Sequence, residues 1–143
     1  MLRKSLSICA LYCCVAIGHA NANDFNGVWE LVSGEYVDGS GKLVDYQTLG
    51  MKSVKLLADG HYQFISMAGD KFWAAGAGTY QVEGERYVET PRFVSYPMET
   101  ATVYAFRFRR DGELWCNERW QDGRRVEYEV WRKQGATADK AKP

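Results

Sequence analysis

The chain predicts an all-β fold: a single up-and-down antiparallel β-barrel of about 8–10 strands, following an N-terminal signal peptide. Three observations predict it. Asp-Gly or Gly-Asp pairs, the residues that accept the positive φ of hairpin turns, recur along the chain at Asp38-Gly39, Asp59-Gly60, Gly69-Asp70, Asp111-Gly112 and Asp122-Gly123. The segments between them are rich in Val, Tyr, Phe, Trp and Thr, which suit a pleated surface. Several alternate with period two, and no segment carries a useful helical stripe.

The first element is a leader, residues 1–22. Arg3 and Lys4 form its positive start, Ser5 to Ile17 its short apolar run, and Ala20-Asn21-Ala22 a small-x-small cleavage site, with the cut expected after Ala22. The run is short for a membrane span, so no stable membrane insertion is expected once it is removed. Cys9 and Cys13 lack the small residues that a lipid-modified cysteine needs before it. A periplasmic or secreted location follows. Removal of Cys9, Cys13 and Cys14 leaves Cys116 without an internal disulfide partner, so the core must hold the fold. It also removes two of the 18 Lys and Arg residues against 18 Asp and Glu, leaving a net charge of −2. That balance argues against nucleic acid, which needs a basic face.

One barrel domain is expected over 23–133, with strands at 27–36, 51–57, 62–68, 72–75, 78–83, 86–94, 102–110, 113–121 and 124–132. The stretch 44–50 reads as a short helix or turn, 96–100 with Pro97 as a longer loop, and 134–143 as a flexible polar tail. Tyr104, Phe106 and Phe108 share one strand face while Arg107 and Arg109 take the other, as in a sheet with one covered and one wet face. A barrel is preferred to a sandwich because closure removes both edges and the turn spacing demands no crossovers.

Gly27-Val28-Trp29 on the first strand resembles the Gly-x-Trp signature of lipocalins and their calycin relatives. The run from Lys55 to Phe64, then Gly76-Ala77-Gly78-Thr79-Tyr80, Arg86-Tyr87-Val88-Glu89-Thr90 and Tyr128-Glu129-Val130-Trp131-Arg132 are similar to bacterial secreted lipocalin-like families of unassigned function. Ala77 replaces a Gly of that pattern, and the later lipocalin Thr-Asp-x-x-Arg loop is absent. The resemblance implies a calycin-type barrel with a central pocket and no particular activity. It also implies that Trp29 plugs one end with Arg132 lying across its indole, a structural cation–π contact worth about 0.5–2 kcal/mol. Gly76 and Gly78 would allow a sharp bend or a close neighbour.

The candidate ligand-binding residues are Tyr62, Phe64, Tyr80, Tyr87, Phe93, Tyr104, Phe106 and Trp115, with Glu89 as polar anchor. If Tyr87 faces inward, period two brings Glu89 inward too, where a carboxylate needs a partner. That partner is a ligand group, or an Arg or Tyr hydroxyl of the chain itself. The aromatic set either lines a hollow or interdigitates to fill the barrel. Its bulk with one placed charge favours a hollow that takes a small, largely apolar molecule. The acidic Glu118, Glu127 and Glu129 read as outer-face partners for Arg107, Arg109, Arg110, Arg119, Arg124 and Arg125.

No catalytic constellation is present. After leader removal His61 stands alone beside a turn, with no Cys or His partner at metal-ligand spacing and nothing to support haem, so no metal or cofactor is expected, and no Ser-His-Asp or Cys-His set is possible beyond what this one His allows. Two other functions remain: a non-catalytic interaction or envelope module with a filled barrel, and an enzyme using Glu89 and a Tyr as acid and base.

Overall fold

A computed structural model describes residues 21–135. Residues 1–20 of the expected leader and 136–143 of the expected tail lie outside the described residues. Asn21 and Ala22, placed above in the leader, open a 3₁₀ turn over Ala22–Phe25.

Nine strands follow in chain order: β1 Gly27–Val37, β2 Leu43–Asp45, β3 Met51–Ala58, β4 His61–Ala68, β5 Lys71–Glu83, β6 Arg86–Val94, β7 Tyr104–Asp111, β8 Leu114–Gln121 and β9 Arg124–Lys133. β1 pairs with β3, each of β3 to β8 pairs with the next, and β9 pairs back onto β1, closing an antiparallel barrel of eight strands. The ninth, β2, is a short flap hydrogen-bonded to the far end of β1, followed by a second 3₁₀ turn over Tyr46–Leu49. The expected helix or turn at 44–50 is therefore the end of a strand and one tight turn. Strands expected separately at 72–75 and 78–83 are one long strand, β5. Its small residues carry a bulge in the pairing with β6 between Ala77 and Gly78 instead of a break. A Cβ on Gly78 would lie 2.2 Å from the Thr90 carbonyl oxygen, so only glycine permits that approach.

The hairpin turns use the expected chemistry. Asp59-Gly60 and Asp122-Gly123 both adopt positive φ, as the type I′ geometry requires.

Antiparallel order and period two sort the inward side chains into layers. The layer at one end holds Trp29, Leu57, Tyr62, Tyr80, Tyr87 and Trp115, all buried and in one cluster with Trp131. The N-terminal turn caps this end. Phe25, fully buried, sits edge-on to Phe108 and Trp115, at 5.0 and 4.9 Å between ring centroids. The Trp29 indole nitrogen donates to the Phe25 carbonyl at 2.8 Å, and the Tyr80 hydroxyl donates to the Ala22 carbonyl at 2.9 Å. Trp29 thus stands at the plugged end, as the resemblance implied. The cation over its ring, however, is the Arg110 guanidinium at 4.8 Å, seconded by Lys133. Arg132 is exposed: strand parity sends Trp131 inward and its neighbour out.

The opposite half of the barrel is wider because two seams stop pairing early. β6 pairs with β7 only from Arg86↔Arg107 to Glu89↔Tyr104, and β1 pairs with β3 only from Gly27↔Leu57 to Glu30↔Val54. Beyond the second seam, Tyr46 of the second 3₁₀ turn lies against Gly34, where a Cβ would come within 2.7 Å of its ring.

Candidate functional site

The wide half encloses a cavity of about 450 Å³, within the size range of small-molecule sites. Its floor is the second layer of inward side chains. Lys55 on β3 reaches across the barrel to Glu89 on β6, Nζ to Oε1 2.8 Å, with both side chains about 5% exposed. The Tyr87 hydroxyl donates to the same oxygen at 2.9 Å. Three rings stand near the ammonium: Trp131 at 4.9 Å, Trp115 at 5.5 Å and Tyr87 at 5.8 Å. A buried charge is tolerated when it is both paired and hydrogen-bonded, and this one also lies among aromatic faces. Burial pulls the Lys55 ammonium toward deprotonation, but the Glu89 and Glu129 charges outweigh it and raise its pKa.

Glu129 on β9 completes the floor. It is buried and accepts a hydrogen bond from the Trp131 indole nitrogen at 2.8 Å. Desolvation pushes its carboxyl up to about 7, with Glu127 and Glu89 adding to the rise and Lys55 with the Trp131 bond opposing it. One layer nearer the mouth, Arg119 on β8 pairs with Glu127 on β9 at 2.7 Å, and Ser53 bonds Ser66 at 2.7 Å. The mouth itself is aromatic: Tyr36, Tyr46, Trp73, Tyr96 and Tyr104. Tyr36 and Tyr46 stack at 5.6 Å in a tilted arrangement.

Of the residues expected to line a pocket, Phe64, Glu89, Tyr104 and Phe106 do. Tyr62, Tyr80, Tyr87 and Trp115 fill the plugged half instead, because antiparallel order carries their positions toward the N-terminal turn. Phe93 is 73% exposed. Thr90 and Pro91 oppose Thr79 and Gly78, but Phe93 opposes Ala77, so Arg92 is the extra residue of a bulge. That extra residue reverses parity and turns Phe93 out.

The floor and mouth residues Lys55, Glu129, Arg119, Glu127, Tyr36 and Tyr46 were not expected there. Glu127, Glu129 and Trp131 share the parity that puts Trp131 in the core, which was a usable signal. Glu127 and Glu129, expected on the outer face as ion-pair partners, instead point inward, Glu127 to Arg119 and Glu129 to the Trp131 indole. Glu118 does face outward, 4.0 Å from Arg125. Lys55 gave no signal, for β3 inverts its hydrophobic pattern: Ser53 and Lys55 face in while Leu56 is 40% exposed.

The Glu129 geometry sets a pH dependence. Its folded-state pKa lies above the unfolded carboxyl value, so the native state holds the proton more tightly. The stability this contributes is full below about pH 4 and is lost as pH rises to about 7. Glu129→Gln is neutral throughout. Between pH 5 and pH 8 its unfolding free energy, from urea titrations, is expected to improve relative to wild type by about 2–3 kcal/mol. A constant difference across that range would mean that Glu129 is not held as described.

No family model and no curated protein matches the chain. Among solved structures, the crystal structure of Rv2717c from M. tuberculosis aligns over 82% of this chain and 100% of its own, with a TM-score of 0.43 and 14% identity.

Proposed function

We propose that the protein is an exported, lipocalin-like carrier or sensor that holds one small molecule in the wide half of its barrel. The observation that carries this reading is the division of the interior. One half is packed solid with aromatic side chains, while the other keeps a cavity of about 450 Å³ with apolar and aromatic walls over a charged, hydrogen-bonded floor. A barrel stabilised only by filling has no need to bury Lys55, Glu89 and Glu129 beneath a void, since an apolar replacement of a buried ion pair is often neutral or better for stability. Mostly apolar walls with a few placed polar groups are the ordinary composition of a ligand site. Export is supported by the leader-like start of the sequence.

Glu89 is committed to Lys55 and the Tyr87 hydroxyl, which removes support for its use as an acid–base catalyst. The interaction-module reading has one observation in its favour, an apolar groove on the outer wall around Leu56, Ile65 and Phe93.

Native mass spectrometry of protein purified from its own compartment tests the proposal. The expected spectrum shows the processed chain carrying a small non-covalent adduct, displaced by an environment-sensitive aromatic dye. Dye uptake is expected to fall at least tenfold when Ala74→Trp fills the cavity. A chain with no adduct and no dye uptake would remove the carrier reading.

A further inference from the structure

The charges around the cavity are not balanced, and the imbalance points to the kind of molecule it takes. Five charged side chains line it: Lys55 and Arg119 on one side of the ledger, Glu89, Glu127 and Glu129 on the other. Both cations are already engaged. Lys55 lies 2.8 Å from Glu89, and Arg119 lies 2.7 Å from Glu127. Among the described residues Glu129 is the lining carboxylate left without a cation at hydrogen-bonding distance; its bond is to the neutral indole of Trp131.

A ligand carboxylate or phosphate entering here would find three carboxylates and, among the described residues, no uncommitted cation. Desolvating it without a partner is unfavourable. A ligand ammonium would find one buried acceptor group, and aromatic rings on the way in whose faces attract cations. The groups that face Glu129 from the surrounding elements are consistent with that role. Lys55 from β3 and Glu89 from β6 neutralise each other, as do Arg119 from β8 and Glu127 from β9, and Tyr46 from the second 3₁₀ turn is half-buried nearby.

Resting on the carrier reading above, we infer that the cavity selects a small primary or secondary amine carried on a compact apolar or aromatic body, with Glu129 as its counter-ion. In the empty site burial keeps Glu129 partly protonated near neutral pH. An ammonium binds the ionised form, so uptake displaces that proton to solvent. Below about pH 7 the proton competes, and amine affinity falls, approaching tenfold per pH unit. A neutral ligand of the same shape has no such dependence.

The test is calorimetric titration of the full processed chain with three probes of matched shape: 2-phenylethylamine, 2-phenylethanol and phenylacetate. The amine is expected to bind at least tenfold more tightly than the alcohol, and phenylacetate the weakest. Amine binding at pH 7 is expected to release a fraction of a proton, read from the difference in heat between two buffers of unlike ionisation enthalpy. Glu129→Gln keeps an acceptor for Trp131 and is expected to bring amine and alcohol affinities within about threefold of each other. If that variant does not fold, the wild-type proton release and its absence for the alcohol decide the matter. Equal affinity for amine and alcohol, or preference for phenylacetate, overturns the amine assignment while leaving a ligand-binding barrel. Failure of all three probes together with the aromatic dye overturns both.

Discussion

Lys55→Met is expected to lower the free energy of unfolding by about 3–5 kcal/mol at pH 7, because it leaves Glu89 as a buried carboxylate without its cation. The loss greatly exceeds the value of a surface ion pair, for which about 0–1 kcal/mol is usual. The difference comes from burial: neither partner can turn to water when the other is removed. Met fills most of the space of the lysine stem among Trp131, Trp115 and Tyr87, so little of the effect comes from a void. The double variant Lys55→Met with Glu89→Leu removes both charges and is expected to recover most of the loss. Urea midpoints for the wild type, both single variants and the double variant form the cycle. A single-variant loss under 1 kcal/mol would show that the pair is hydrated, and an unrecovered double variant would show that packing rather than charge set the cost. Measurement at pH 7 captures the whole effect. The Lys55 pKa is raised, so its contribution is complete below the unfolded lysine value near 10 and fades only as pH climbs through the folded one.

Phe25→Ala carries the second large effect, about 3–5 kcal/mol, from the lost transfer energy of a fully buried ring plus the void left behind. Phe25 is the only large apolar side chain of the N-terminal turn, and it meets Tyr87, Phe108 and Trp115 at once. Losing it loosens the turn that accepts the Trp29 and Tyr80 hydrogen bonds. Trp29 is expected to gain water, seen as a red shift in tryptophan emission. Ligand uptake at the far end is expected to persist at a temperature where the variant is folded, since Tyr62, Tyr87 and Trp115 separate the turn from the cavity. Loss of uptake without loss of structure would mean that the two halves of the interior act as one.

The plugged half was more legible than the open one. Trp29, Tyr62 and Tyr87 are large, aromatic and on consistent strand faces, so a sequence pattern places them inside, whereas Trp115 and Trp120 fall on opposite faces of one strand and the pattern does not choose between them. It does not say at which end, because that depends on how far along each strand a residue lies from its turn. The cavity half resists a local reading for a different reason. Its floor is made of a lysine and two glutamates, residue types that ordinarily face water. Each is buried only because the barrel sets it beside a group 34 residues away or beside an indole.

Taken alone, the sequence determined most of the strands, their turns, the antiparallel all-β class and the inward parity of many aromatics, because these follow from backbone preferences and a two-residue period that act within a few positions. Tertiary structure decided the rest: the extra residue that turns Phe93 out, the joining of β5 into one strand, Arg110 rather than Arg132 over Trp29, and the meeting of Lys55 with Glu89 beneath a hollow. Those outcomes depend on cross-strand register and barrel closure. Register couples residues through space, and no local pattern encodes it.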